Sequence, residues 1–174
     1  MRSGTGPGSV VGVSYPAERY LGAAGEVSAV HRPAGAAPEL RTPAGTTSYL
    51  ATGPQTGGDF GLYRWDMSGP PTGPGPHFHR TMSESFFVLS GIVRLHTGGG
   101  WIDAAPGDFV HVPPGGIHGF RNESGAPASL LILFTPGAPR EPYFEGLAAL
   151  ANGGERPNDE ELAEFYLRHD NHWV

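Results

Sequence analysis

Residues 75–91 read Gly75-Pro76-His77-Phe78-His79-Arg80-Thr81-Met82-Ser83-Glu84-Ser85-Phe86-Phe87-Val88-Leu89-Ser90-Gly91. Residues 107–122 read Gly107-Asp108-Phe109-Val110-His111-Val112-Pro113-Pro114-Gly115-Gly116-Ile117-His118-Gly119-Phe120-Arg121-Asn122. Both stretches set histidines and a short apolar run between glycines and prolines. Short apolar runs divided by such turn residues are typical of an all-β sandwich or barrel, and they argue against a helical bundle.

The same pattern of short apolar runs divided by turn residues continues on both sides of these two stretches. Alternating or apolar runs predict strands near Val10–Tyr15 and over residues 48–51, 60–67, 77–79, 85–89, 92–96, 108–112, 117–122 and 128–134. The last of these, Leu130-Leu131-Ile132-Leu133-Phe134, is apolar on both faces. We therefore expect it to lie in the middle of a sheet that is packed on both sides.

The ends of the chain differ from its centre. Residues 1–46 are rich in Gly, Pro and Ala and predict an arm with one strand, whereas residues 47–136 predict a β-barrel. Residues 137–174 predict a short helical tail that packs on the same domain. One helix begins near Pro142 and ends at Gly153-Gly154, and a second begins at Asn158, where Glu161 completes a capping box. At 174 residues the chain suits one domain.

Composition excludes several kinds of chemistry. The formal net charge is −6 and the arginines do not cluster, so neither a nucleic acid nor a membrane is expected as a partner. The absence of cysteine excludes thiolate ligands and nucleophiles, and the absence of lysine excludes a Schiff base. Met1–Val13 falls short of a signal-peptide core, which predicts a cytoplasmic protein.

The histidines have spacings that suit a metal site. His77 and His79 are two residues apart, so on a strand both rings face the same side. Glu84 stands where the chain turns into the next strand, and His118 follows the Pro-Gly turn of the second stretch. Three imidazoles and one carboxylate would leave coordination positions open for a substrate or dioxygen.

The whole pattern resembles the two motifs of the cupin superfamily. The first matches as His77-x-His79, four residues, Glu84, six residues and Gly91; the second matches as Gly107, five residues, Pro113-x-Gly115, two residues, His118, three residues and Asn122. One departure is Pro71, where the family has a glycine that shapes a turn. The resemblance implies an antiparallel jelly-roll β-barrel whose interior holds one divalent metal ion on His77, His79, Glu84 and His118.

The resemblance leaves the reaction open, because cupins include oxygenases, isomerases, decarboxylases, cyclases and non-catalytic binders. The interior residues Tyr63, Phe86, Val88 and Phe120 suit a core, and by alternation with the ligands they are also the predicted substrate contacts. A predicted interior that is apolar and has few cationic side chains favours an aromatic, flavonol-like or polyketide-like small molecule. A looser resemblance to single-domain quercetin 2,3-dioxygenase-like cupins rests on the helical tail and its ending, Tyr166 to Trp173.

We therefore expect a metal-dependent dioxygenase in which Glu84 acts as general base, with Fe, Mn, Ni, Co or Zn as the ion. The alternatives are a metal-dependent polyketide cyclase or isomerase, and a non-catalytic module that binds a small ligand. A homodimer is the expected assembly, since small cupins commonly pair through their sheet edges.

Overall fold

The computed structural model describes residues 15–174. The described residues fall into two units, one that ends at His31 and one that spans Arg32–Val174. Residues 15–31 contain neither helix nor strand and are exposed to solvent. The strand predicted near Val10–Tyr15 lies outside the described residues, apart from Tyr15, which is not in a strand.

The second unit is mostly β, with two short α-helices. Its strands are β1 Leu40–Thr42, β2 Gly45–Ala51, β3 Gly61–Met67, β4 His77–Phe78, β5 Ser83–Ser90, β6 Val93–His96, β7 Trp101–Ala104, β8 Phe109–Val112, β9 Gly119–Arg121, β10 Ala128–Thr135 and β11 His172–Trp173. The helices are α1 Glu141–Ala151 and α2 Asp159–Arg168, and a single 3-10 turn covers Pro54–Thr56.

The strands form three antiparallel sheets. Six strands pair in the order β1-β2-β3-β10-β5-β8, three in the order β7-β6-β9, and β11 pairs with β4. Strand β10 lies between β3 and β5, so its predicted place in the middle of a sheet is confirmed. Its two faces differ, because Leu130, Ile132 and Phe134 are buried whereas Leu131 and Leu133 are only partly covered.

Three short strands, β1, β7 and β11, were not predicted, whereas both helices were. Helix α1 has a proline in its first turn, and α2 carries the expected capping box: Asn158 accepts from the backbone N–H of Glu161, and the Glu161 carboxylate accepts from that of Asn158. Neither helix is long and apolar enough to cross a membrane, within the part of the chain that the structure describes.

A cluster of aromatic rings joins α1 to the inner face of the large sheet. The ring centroid of Phe144 lies 5.0 Å from that of Tyr63, 5.6 Å from Trp65 and 6.3 Å from Phe134. Edge-on and tilted ring pairs at these separations are favourable beyond their burial of apolar area. The helix therefore closes over the same sheet face that carries the inward side chains of β3 and β10.

Leu130 tests how much the inner face of β10 contributes to stability. Its side chain is fully buried at 0 % exposure, and its register partners are Trp65 on β3 and Val88 on β5. We expect Leu130→Ala to lower the free energy of unfolding by about 3 kcal/mol, because it leaves a cavity in packed surroundings. Leu131→Ala, on the opposite face, is the matched control and should cost about 1 kcal/mol or less in a urea titration. Equal losses would contradict this account of the two faces.

Candidate metal centre and adjoining cavity

Three histidines and one glutamate converge inside the large unit. His77, His79, Glu84 and His118 are all buried, and one potential ligand atom from each lies within 4.8 Å of the others. Bonds from imidazole nitrogen or carboxylate oxygen to a first-row ion are about 2.0–2.2 Å, so ligands on one ion lie about 3–4 Å apart. The four side chains are therefore close enough to share an ion after small adjustments.

Backbone hydrogen bonds bring the two histidine stretches together. The N–H of His77 donates to the carbonyl of His118 and the N–H of His118 donates to that of His77, both at 2.8 Å. In an antiparallel pair that exchanges both hydrogen bonds, the two side chains point to the same face. A further bond of 2.7 Å, from Gly115 N–H to the carbonyl of His79, ties the Pro-Gly turn of the second motif to the first.

The glutamate reaches the cluster from strand β5. Glu84 pairs in register with Phe134 on one side and Val112 on the other, so the carboxylate extends from the buried face of the large sheet. The chain must turn tightly at the far end of this strand, where Gly91 has a φ of +71°. A Cβ at that position would lie 2.5 Å from the carbonyl oxygen of Pro127, which explains why a glycine is needed there.

Each ring is oriented by a backbone carbonyl. The Nδ1 of His77 lies 2.9 Å from the oxygen of Gly75, that of His118 lies 2.9 Å from Gly116, and that of His79 lies 2.6 Å from Asp170. A carbonyl oxygen only accepts, so each Nδ1 carries the proton and each Nε2 is left as the potential ligand. This is the outer-shell arrangement that fixes the tautomer and orientation of metal-bound histidines.

The contacts of Glu84 show that the donor set fits a cation. One carboxylate oxygen, Oε2, lies 2.9 Å from Nε2 of His79 and 2.7 Å from Nε2 of His118. Both nitrogens of each ring thus face acceptor oxygens, which demands either a second proton on the ring or a cation among the three atoms. Imidazole and carboxylate together suit iron, manganese, nickel, cobalt or zinc. The residues present therefore fit a divalent metal ion.

Burial and charge act in opposite directions on these groups. Burial alone would raise the pKa of Glu84, but hydrogen bonds from His118 and His79 outweigh it and hold that pKa well below its usual range. Burial lowers the pKa of His77 to about 4, so this ring is neutral at pH 7. Burial also disfavours charge on His118, yet its hydrogen bond to Glu84 and the carboxylate's charge raise its pKa. The carboxylate is thus ionised and at least one imidazole is neutral, as ligation requires.

A cavity of about 370 Å³ adjoins the cluster. His77 and Glu84 line it, and much of its wall is aromatic, from Trp65, Phe120, Phe134 and Phe144. This volume lies in the range of small-molecule sites, which are mostly apolar with a few placed polar groups. The four potential metal ligands therefore adjoin a cavity that suits a small, largely apolar ligand.

The structure separates the four residues predicted to contact substrate. Phe120 lies in the cavity wall, whereas Tyr63, Phe86 and Val88 are fully buried in the hydrophobic core and are not among the lining residues. The Phe86 ring lies 5.9 Å from that of His118, and the Tyr63 hydroxyl donates to Glu141 at 2.6 Å. All four side chains point into the interior of the fold, but only Phe120 lies at the level of the cavity.

Sequence reasoning missed the contributions of Arg140 and of the C-terminal segment. Arg140 is buried and lines the cavity, together with Asn171 and Trp173. The carbonyl of Asp170 holds His79, and the ring of Trp173 lies 5.2 Å from that of His77. One available signal was the tail rich in His, Asp and aromatic residues; for Arg140 the sequence offered only a lone cation beside a helix start.

The remaining motif residues have structural roles. Asn122 is buried, and its amide donates to the carbonyls of Ser68 and Ala126, so it joins two loops. His111 is exposed and its Nδ1 lies 3.0 Å from the Ser85 hydroxyl, away from the four-residue cluster. The arginines at positions 64, 94 and 121 form surface ion pairs with acidic neighbours.

A mostly β fold that gathers three histidines and a glutamate beside an apolar cavity defines a class of protein with a metal-binding site in a β scaffold. The Cupin domain family matches residues 66–134, a range that contains all four side chains. The resemblance to the cupin superfamily is thus confirmed over these residues.

Two comparisons extend this result. Quercetin 2,3-dioxygenase of Bacillus subtilis is 33% identical over 89 residues, which make up 51% of this chain and 26% of that protein. The match thus spans only about a quarter of the curated relative's length. A solved structure from Thermotoga maritima, described as a predicted oxalate decarboxylase, is 18% identical with a TM-score of 0.55, and the alignment covers 62% of this chain and 99% of that one. This likeness supports a jelly-roll β fold.

A polyketide cyclase from Streptomyces resistomycificus is also similar. It is 28% identical with a TM-score of 0.49, and the alignment covers 62% of this chain and 78% of that chain.

Proposed function

We propose that this protein is a metal-dependent dioxygenase that acts on an aromatic or enolic small molecule of the flavonol or polyketide kind. The observation that carries the proposal is that His77 and Glu84 line a cavity whose wall is largely aromatic. The similarity to a quercetin dioxygenase over half of the chain supports it. Dioxygen is the co-substrate.

His77, His79, Glu84 and His118 would hold the ion. When bound there, a divalent metal supplies a Lewis acid for an enol or phenol oxygen. The three imidazoles are already oriented by their backbone partners, so little reorganisation is needed for them to bind the ion. The aromatic walls offer flat surfaces against which a planar substrate can pack.

Glu84 is the proposed general base. Its carboxylate is ionised, as a base must be, and once it loosens from the imidazoles that lower its pKa it could accept a proton from the hydroxyl of a substrate in the cavity. The same carboxylate is one of the four potential ligands. It therefore combines two roles, and its replacement should affect turnover more than it affects the fold.

Oxygen uptake tests this proposal. Purified protein, loaded in turn with Fe(II), Mn(II), Ni(II), Co(II) or Zn(II), is mixed with a flavonol such as quercetin in an oxygen electrode. We expect uptake that matches the loss of the flavonol, and a decrease of about 100-fold or more in Glu84→Gln. Glu123→Gln removes an exposed carboxylate that pairs with Arg94 and Arg121 and is the matched control.

The controls also separate the alternatives. Metal content is measured for both variants, so that loss of the ion is distinguished from loss of the base. Absence of uptake with every ion would overturn the proposal. Conversion of the substrate at an unchanged rate without oxygen would instead identify a cyclase or isomerase.

A further inference from the structure

Arg140 is a buried cation in the wall of the cavity that adjoins the four potential metal ligands. It is only 3 % exposed, and it lines the same cavity as His77 and Glu84. Its guanidinium carbon lies 4.3 Å from the ring centroid of Tyr143, 5.0 Å from that of Phe134 and 5.6 Å from that of Phe144. Aromatic faces stabilise a cation, but they supply no acceptor for its N–H groups.

The hydrogen-bond partners of Arg140 among the described residues are all neutral. One terminal nitrogen, Nη1, donates to the carbonyl of His169 at 2.6 Å, and Nη2 donates to the side-chain oxygen of Asn171 at 2.9 Å. Within residues 15–174 no carboxylate forms an ion pair with it, and its buried Nε has no acceptor. The charges of the Glu84 and Asp170 carboxylates favour the buried cation without forming an ion pair with it, so its remaining N–H groups can still bind an added anion.

A second unpaired donor lies in the same cavity wall. The indole Nε1 of Trp65 is buried and has no hydrogen-bond partner. Its ring is held by edge contacts with Phe120 and Phe144, at 5.3 and 5.6 Å between centroids. An indole nitrogen and a guanidinium nitrogen only donate, so both unpaired groups call for acceptor oxygens on a ligand.

We propose that the cavity binds an anionic substrate, an aromatic or enolic acid whose carboxylate accepts hydrogen bonds from Arg140 and whose oxygens also satisfy the indole of Trp65. The inference rests on the proposed function in one respect, that the cavity is the substrate site. The buried guanidinium revises the expectation, drawn from the sequence, that the interior has few cationic side chains. A planar guanidinium is suited to a carboxylate, and burial of the pair excludes the water that would weaken it.

The charges of the site agree with an anionic ligand. Neutral imidazoles, the Glu84 carboxylate, a divalent ion and the Arg140 guanidinium together carry a net charge of about +2. A substrate with one carboxylate would reduce this excess, and a neutral analogue would leave it unchanged. Arg140 thus selects for charge, whereas the aromatic walls select for a flat apolar body.

A pair of matched probes tests the inference. Salicylate and salicylamide have nearly the same shape, but only salicylate carries a carboxylate. Their dissociation constants are measured by isothermal titration on zinc-loaded protein, for the wild type and for Arg140→Met, which keeps an unbranched apolar stem against the rings. We expect the preference for salicylate over salicylamide to fall by about tenfold or more in this variant, the size of one charged hydrogen bond. Taking the ratio removes the part of the preference that the metal itself supplies.

Further variants keep the result interpretable. Arg94→Met removes an exposed arginine and should leave the ratio unchanged. Trp65→Phe removes only the indole N–H and should weaken salicylate binding about fivefold. If Arg140→Met does not fold, equal binding of the two probes by the wild type overturns the inference. An unchanged ratio in Arg140→Met, or equal weakening of both probes, would show that Arg140 only holds the C-terminal segment and would overturn the inference.

The outcomes separate this inference from the proposed function. Charge discrimination that depends on Arg140, without oxygen uptake from either a flavonol or a phenolic acid, would sustain the anion site and overturn the dioxygenase. Oxygen uptake with no discrimination between the probes would do the reverse.

Discussion

His118→Ala should remove stoichiometric metal binding. The ring is 1 % exposed, its Nδ1 is fixed by the Gly116 carbonyl, and its Nε2 lies 2.7 Å from Glu84. Loss of an outer-shell partner already lowers metal affinity about 10- to 100-fold, so loss of a direct ligand should cost at least about 100-fold. Metal content after dialysis, together with a competition titration against a chromophoric chelator, measures the effect.

His111→Ala is the matched control for this experiment. His111 lies in the same sequence motif, but its side chain is exposed and contacts Ser85 instead of the cluster. We expect His111→Ala to retain the metal content and affinity of the wild type. A His118→Ala variant that folds and still binds one equivalent of metal with similar affinity would contradict the assignment of the cluster as a metal site.

The four potential ligands were predicted from the resemblance to the two cupin motifs, and local rules account for part of their placement. The two-residue spacing of His77 and His79 fixes their common side, and the turn that precedes His118 is marked by proline and glycine. The capping box at Asn158 was predictable for the same reason, since its partner is three residues away. Local patterns of this kind survive whatever the remainder of the chain does.

The level at which an inward side chain lies within the fold was not predictable from alternation. Alternation gives the face of a strand, so it groups Phe120 correctly with Phe86 and Val88. Whether an inward side chain meets the cavity or the core depends on which elements close over each level of the sheet. Here Phe120 contacts the cavity, whereas Phe86 and Val88 lie among other core residues.

The role of Arg140 and the strands β1, β7 and β11 depended on tertiary contacts. Each of these strands has only two to four residues, too few to show a period. Arg140 owes its position to the C-terminal segment, whose His169 carbonyl and Asn171 side chain accept from its guanidinium. No local sequence signal encodes a contact across such a separation.

Asp170 joins that C-terminal segment to the metal centre. Its carbonyl oxygen accepts from His79, at a separation of 91 residues, and its carboxylate accepts from the backbone N–H groups of Arg80 and Thr81 at 3.0 and 2.8 Å. The Thr81 hydroxyl adds a bond of 2.7 Å. These hydrogen bonds lower the pKa of Asp170 against the opposing effect of burial. The residue also adopts a φ of +56°, a left-handed conformation that asparagine and glycine tolerate.

Asp170→Gly should therefore weaken the metal site without straining the backbone. The carboxylate that anchors the segment is lost, so the carbonyl that orients His79 is no longer held in place. We expect about a tenfold or greater loss of metal affinity and a decrease of about 2 kcal/mol in the free energy of unfolding of the metal-free protein.

Asp170→Asn keeps one acceptor oxygen and should lose less of both. Asp108→Gly removes an exposed carboxylate that accepts from Ala105 N–H, and chelator competition should show wild-type affinity for it. If Asp170→Gly and Asp108→Gly bind metal equally well, the C-terminal segment has no part in orienting His79, and the ring is held by its packing alone.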